Sequence, residues 1–273
     1  MNKKNVNSYI AIGIILLIIP LILGLLANVL STYDPYETDP LIRLKSPNSE
    51  HIMGTDDLGR DVFTRTLYGI RISLYIGFMV TFFSLIIGVV VGTVSAFYPW
   101  TSRILMRLVD GIMAFPTIIL AISLAGILGS GTKNIIIALS ISYFPMIARI
   151  TKNATLEVLG MEYIESAIAL GKNDLYIIFN YILPNIASRV MVQVTFTFAM
   201  AILNESILSF LGVGIKVPTP SLGGMVNDGR NYISTAPWII TFPGLIISWI
   251  VLSLNMIGDG MRDALDPRCK NRG

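Results

Sequence analysis

Apolar residues in this chain arrive in blocks of bilayer length, and no other feature constrains the fold as much. Six blocks can be read: Ser8–Leu30, Leu74–Phe97, Ile112–Leu128, Asn134–Ala148, Val190–Ile215 and Trp238–Ile257. A helix needs about 20 apolar residues to cross the hydrocarbon core of a bilayer. Inside lipid every backbone N–H and C=O must be paired within the chain, which leaves helices or closed barrels. Blocks this long exclude barrel strands, so an all-α, polytopic membrane protein is expected. The fourth block is short, and taken alone it also fits a re-entrant or interfacial segment. Composition agrees with the membrane reading. Charged residues make up 14% of the chain and hydrophobic ones 53%, whereas a soluble domain carries about 25% charged residues.

The first block follows Lys3 and Lys4 and spans 23 residues. The apolar core of a signal peptide is only about 7–15 residues long, so this block reads as an uncleaved anchor. The single cysteine, Cys269, lies in the charged tail and excludes a disulfide framework or a cysteine metal cluster. The net charge of +3 is spread along the chain and gives no sign of nucleic-acid binding.

Charge orients the spans. With six spans and an inner N-terminus, the inner segments hold twelve basic residues: Lys3, Lys4, Arg103, Arg107, Arg149, Lys152, Lys172, Arg189, Arg262, Arg268, Lys270 and Arg272. The outer segments hold eight, five of them in one long loop with seven acids. Long loops weigh little in orientation, and the short inner ones are basic. Both termini are therefore expected in the cytoplasm. The organisation predicted is an N-terminal transmembrane helix over 1–30 and an extracellular loop over 31–73. A five-helix core over 74–258 follows, interrupted by a cytoplasmic loop over 151–189, and then a cytoplasmic tail over 259–273. Within the outer loop, Gly59–Ile72 has the pattern of an amphipathic helix lying on the membrane surface.

Several residues invite chemistry. Glu205 is the one acid well inside an apolar block, and such a charge must face protein or water rather than lipid. It could line a pathway or bond a neighbouring helix; the sequence supports both. Gly88, Gly92 and Ala96 form a small-residue face that suits packing within one bundle or between two chains. Pro20, Pro116, Pro145 and Pro243 lie in or near spans, where neighbouring helices can re-satisfy the carbonyls they free. The sole histidine, in His51-Ile52-Met53-Gly54-Thr55-Asp56-Asp57, lacks a second His or Cys to complete a metal set, and paired aspartates more often cap helices or close turns. The sequence contains no GxSxG elbow, HExxH helix or Walker A loop, so no enzyme is predicted.

The polar interruption EYIESAIALGKNDLYIIFNYILPN, residues 162–185, stands apart from the oily blocks around it. Glu162 to Leu170 suits a short helix, with Ile164, Ala167 and Ile168 on one face and Glu162, Glu165 and Ser166 on the other. Gly171 sits where a helix end wants positive φ. Asn173 or Asp174 can then cap a second short helix leading to Pro184. Such a knob could dock on another protein or rest on lipid headgroups.

These residues resemble the EAA loop of ABC importer permeases, E-A-A-x3-G-x9-I-x-L-P. Here it reads Glu165-Ser166-Ala167, Gly171, then Tyr181-Ile182-Leu183-Pro184, with Ser166 and Tyr181 as departures. His51–Asp61, Arg71–Leu74, Asp110–Pro116, Leu208–Gly214 and Gly258–Pro267 are similar to the C-type permease subunit of the peptide/nickel branch. Leu222 departs from a tryptophan common there. The resemblance covers about Tyr33 to Arg268. It implies a six-helix type I permease that pairs with a homologous second permease, two ATP-binding subunits and an extracellular substrate-binding protein. It also makes the fourth block a true span. Glu162–Gly171 would be the coupling helix docked on an ATPase, with Glu162, Glu165, Ser166, Ala167, Gly171 and Pro184 as the coupling residues. The chain itself would bind no cofactor, since ATP and Mg belong to the partner subunits. The implied cargo is small peptides, with nickel or a metal–chelator complex as the alternative. A stand-alone secondary transporter or channel would explain the spans but not the docking knob.

Overall fold

A computed structural model of the chain describes residues 3–265. Asp266, Pro267, Arg268, Cys269, Lys270 and Arg272, and the side chains of Lys3 and Lys4, lie outside the described residues. The helices are α1 (Lys3–Leu25), α2 (Ala27–Leu30), α3 (Val62–Phe97), α4 (Pro99–Met113), α5 (Thr117–Leu128), α6 (Thr132–Leu159), α7 (Glu162–Ala169), α8 (Asp174–Ile177), α9 (Leu183–Phe210), α10 (Leu222–Gly229) and α11 (Trp238–Leu265). By length and composition α3, α6, α9 and α11 can each cross a membrane, α9 together with its lead-in from Asp174. The pair α4 and α5, bent by 92°, makes a fifth candidate, and Tyr9–Leu25 is a shorter apolar helix. The six blocks of the sequence thus correspond one to one with helical segments.

Block boundaries moved where local chemistry decides them. Pro116 disfavours helical backbone at Phe115 just before it, so α4 and α5 are separated there and the third block's own helix starts at Thr117 rather than Ile112. The fourth block, short in the sequence, is the apolar part of a 28-residue helix. Its more polar end runs from Arg149 to Leu159, with Thr151, Ala154, Thr155 and Val158 buried. The Gly59–Ile72 run is not a separate surface helix: from Val62 it forms the first turns of α3. The reason is burial, because Thr64, Arg65, Thr66, Leu67, Gly69 and Ile70 are enclosed by protein rather than presented to headgroups.

Helices in lipid gain little hydrophobic energy from meeting each other, so close backbone approach and hydrogen bonds set the contacts. The largest contact joins α3 to α6. A Cβ placed on Gly92 would lie 2.5 Å from the Ala148 carbonyl oxygen, and one on Gly88 would lie 2.7 Å from Ile147. The small-residue face therefore serves packing inside this bundle. Pro20 in α1 supplies no N–H to the carbonyl of Leu16, one turn back. That carbonyl instead accepts from Trp249 Nε1 of α11 at 3.0 Å. A deep apolar core gathers Ile76, Val80, Ala121, Ile135, Leu139, Ala201 and Leu208 from α3, α5, α6 and α9.

The segment 31–61 folds over the end of the bundle. Asp61 caps α3 by accepting from Thr64 N at 2.7 Å, and its other oxygen meets His51 Nδ1 at 2.9 Å. Asp56 accepts from Leu58 N, Arg60 N and Arg60 Nε, at 2.9, 2.9 and 2.6 Å. Trp238 Nε1 donates to the Thr55 carbonyl at 3.0 Å, pinning this segment to the start of α11. His51, Asp56 and Asp61 thus have structural partners, while Asp57 stands 3.8 Å from Arg60.

Candidate transport pathway and coupling segment

The polar interruption folds as a helix with a sharply closed end. Gly171 has φ of +76°, its N–H donates to Ile168 O at 2.9 Å, and Lys172 N–H donates to Ala167 O at 3.2 Å. This pair of bonds is the Schellman closure, in which the residue at positive φ reverses the chain and satisfies the last carbonyls. Asn173 accepts from Tyr176 N at 2.8 Å and starts α8. The second helix is not a separate short element. Through a π-turn over Ile178–Ile182 it runs into α9, giving one helical course from Asp174 to Phe210. Pro184 follows the π-turn directly, so within this continuous course it supplies no N–H to the turn before it, at the point where the helical hydrogen-bond register shifts.

The helix α7 turns Ile164 inward onto Val158, Ile177, Ile182 and Ile186, and Ala167 is buried as well. Ile168, placed on that face by the sequence pattern, is instead exposed. Glu162, Glu165, Ser166, Leu170 and Gly171 are exposed as well. Ser166 Oγ donates to Glu162 O at 2.9 Å, so the hydroxyl is absorbed by its own helix. Tyr181 lies 6.1 Å from the ring of Tyr163 and 5.9 Å from that of Tyr176. The aromatic departure thus braces α7 against the π-turn. Tyr98, between α3 and α4, donates to Asp174 Oδ2 at 2.6 Å, and that bond holds the phenol's pKa above its ordinary value.

Along α9 a cavity of about 1110 Å³ is bounded also by α5, α6 and α11. Its lining runs from Arg189 to Ile207, about 27 Å at 1.5 Å per residue, close to the thickness of a bilayer core. Its uncharged polar groups are Gln193, Thr197 and Asn204 on one stripe of α9, with Tyr143 from α6 and Thr117 from α5. Asn204 donates to the Tyr143 hydroxyl, and that hydroxyl lies 3.4 Å from the Met200 carbonyl. Arg189 and Arg262 are the charged groups among the described lining residues, and Arg189 pairs with Glu157. None of the polar stripe was singled out from the sequence. The signal was there: positions 193, 197, 200, 204 and 207 fall on one helical face, and three of the five are polar within an apolar block.

Glu205 lies next to this cavity without lining it. Its carboxylate is fully buried between α3 and α9. Ser73 Oγ donates to Oε2 at 2.8 Å, Ser209 Oγ donates to Oε1 at 2.8 Å, and Ser206 Oγ stands 3.5 Å from Oε2. Of the two roles open in the sequence, the geometry is that of a helix-to-helix bond.

A bundle with a wide lateral cavity, and a helix held clear of it by a Schellman turn, has the form of a transport subunit. The family model described as "Binding-protein-dependent transport system inner membrane component" matches residues 70–271. The chain belongs to this family. A putative peptide transport system permease protein of Brucella abortus is 43% identical over 262 residues, covering 96% of this chain and 88% of that protein. The dipeptide transport system permease protein DppC of Alkalihalophilus pseudofirmus is 40% identical over 266 residues, covering 97% and 88%. Among solved structures, an inward-facing MetNI methionine ABC transporter aligns with a TM-score of 0.61 at 21% identity, over 74% of this chain and 96% of that one. That likeness carries the fold, a type I importer permease. The protein is thus a multi-pass membrane component of a binding-protein-dependent importer, a non-catalytic permease subunit served by a separate ATPase.

Proposed function

We propose that this permease carries short peptides from an extracellular substrate-binding protein into the cytoplasm by alternating access. The coupling segment Glu162–Gly171 would dock on one of two ATP-binding subunits, and the open side of the cavity would face a homologous second permease. The observation that carries the reading is the exposed surface of α7. Ile168 and Leu170 are 53% and 79% exposed on a helix whose other face is anchored in the bundle. Apolar residues displayed beside Glu162 and Glu165 suit a protein groove better than water or headgroups. Glu165, Ser166, Ala167, Gly171 and Pro184 hold the loop's shape, and Glu162 and Glu165 offer acceptors to the partner. Both termini are assigned to the cytoplasm, the same side as α7, from the basic residues of the short inner segments.

In the proposed cycle, ATP binding closes the ATPase pair and moves α7. Because α7 packs against the π-turn at the head of α9, the motion reaches the helix that lines most of the cavity. Peptide is the favoured cargo for two reasons. The relatives at 43% and 40% identity are named for peptides and dipeptides. The polar stripe Gln193–Thr197–Asn204 offers neutral amide and hydroxyl groups that match peptide bonds, whereas a bare metal ion would want carboxylate, imidazole or thiolate ligands. The test is reconstitution of the permease with its second permease, ATPases and binding protein. ATP-dependent uptake of labelled dipeptide is expected. Uptake by this chain alone, driven by an ion gradient, would instead identify a stand-alone transporter, and uptake of nickel but not peptide would reassign the cargo.

A further inference from the structure

Helix α4 has no role in the cycle described above. It lies at 92° to α5, turned out of the line of that apolar helix. At 100° per residue, Trp100, Ile104 and Leu108 fall within one narrow sector. They are 68%, 52% and 61% exposed. The opposite side, marked by fully buried Val109, packs on the bundle. Arg103 and Arg107 occupy the edge beside the apolar sector, and both are exposed. Nearby, Arg149 pairs with Asp110 and Arg189 with Glu157, while among the described residues Arg103 and Arg107 form no ion pair. An apolar stripe with a tryptophan, edged by unpaired arginines and set at a right angle to the apolar helix that follows, is the pattern of a helix in the interface plane of a membrane.

We propose that α4 binds anionic lipid headgroups of the cytoplasmic leaflet through Arg103 and Arg107, with Trp100, Ile104 and Leu108 seated in the acyl boundary. Charge selects this occupant. A protein covering the stripe would need to leave two guanidinium groups unmatched or bring its own acids, whereas phosphate headgroups supply the counter-charge along the whole edge. The helix is also wired to the coupling segment. Tyr98, the residue before α4, donates to Asp174 Oδ2, and Asp174 opens the helix three residues after Gly171. Headgroup occupancy therefore steadies the far end of the segment that receives the ATPase motion. The inference rests on the cytoplasmic placement proposed above.

The test uses the assembled transporter in vesicles with and without phosphatidylglycerol. A cysteine at Ile104, in a Cys269→Ser background, carries a nitroxide. Lipid seating predicts high collision with oxygen and low collision with a water-soluble nickel chelate. A label shielded from both reagents, as under a second protein, or open to the chelate, as in water, overturns the proposal. In parallel, the Arg103→Gln/Arg107→Gln double variant is expected to retain phosphatidylglycerol roughly 30-fold less, from about 1 kcal/mol per basic side chain. The double lysine variant should keep most of it. Equal retention by the glutamine variant also overturns it. Labelling of Lys133→Cys, exposed at the start of α6 and away from the coupling segment, by an impermeant reagent reports the side independently, so an error of orientation is told apart from an absence of lipid binding.

Discussion

Ser73 Oγ and Glu205 Oε2 are 2.8 Å apart, joining α3 to α9 across 132 positions of sequence. The carboxylate is enclosed on all sides, and Ser209 donates to its second oxygen. Removing a buried acceptor leaves its donors stranded, at about 1–3 kcal/mol for each unsatisfied group. Glu205→Leu strands two serine hydroxyls and is expected to lower the thermal midpoint of the solubilised complex or prevent assembly. Glu205→Gln keeps one carbonyl acceptor and should cost less, about 1 kcal/mol, with uptake preserved. A glutamine variant that melts normally yet fails to transport would show instead that the carboxylate serves the pathway.

Gly171 separates conformation from contact. Its φ is +76°, and a Cβ added there would meet nothing within 4 Å. Within this chain the effect of substitution comes from the backbone, at about 1–2 kcal/mol for an L-residue held in the left-handed region. Asparagine tolerates that region best and a β-branched residue worst. Uptake is expected to fall in the order Asn, Ala, Val, with the four-part complex still assembled and with ATPase stimulation by the binding protein weakened in the valine variant. Full uptake in Gly171→Val would remove the Schellman turn from the coupling path.

These two residues also mark what a sequence can and cannot tell. Gly171 was legible because a helix end that needs positive φ leaves a glycine at a fixed offset, and Asn173 was legible as a cap for the same local reason. The spans were legible because lipid demands long apolar runs. Glu205 was legible as important but not in role, since its partners Ser73 and Ser209 become neighbours only when α3 and α9 pack. Gly59–Ile72 was misplaced because its polar residues read as solvent-facing, when Arg65 and Thr64 are in fact covered by the folded outer segment and α10. The cavity stripe and α4 were overlooked for opposite reasons. The first hides three polar residues in an apolar block, and the second hides an apolar stripe in an inner segment read only for its basic residues, Arg103 and Arg107.

Asp228 on α10 gives the end of the bundle beneath segment 31–61 a pH dependence of definite sign. Its Oδ2 lies 3.4 Å from Arg60 Nη2, yet burial outweighs the attraction of Arg60 and Arg65 and raises its pKa above the ordinary 3.8. The native state then holds this proton more tightly than the unfolded chain does. Stability contributed by the group is present on the acid side and is lost as pH rises from 3.8 through the raised value. Asp228→Asn removes the titration. The difference in melting temperature between variant and wild type should move in favour of asparagine as pH rises through that window to neutrality. A difference that stays flat with pH would show that Arg60 offsets the burial in full.

Trp249 and Pro20 make a pair that can be tested as a cycle. Pro20 leaves the Leu16 carbonyl without its helical donor, and Trp249 Nε1 fills the gap at 3.0 Å. Trp249→Phe strands that carbonyl next to lipid. Interhelical bonds of this kind average about 0.6 kcal/mol and reach about 1.7, so a loss of about 1 kcal/mol is expected in the melting of the complex. Pro20→Ala restores an N–H to the Leu16 carbonyl from within α1. In that background the tryptophan bond is no longer required, and Trp249→Phe should cost measurably less than it does in the wild type. Equal costs in both backgrounds would mean that the indole contributes through packing against α1 and not through its hydrogen bond.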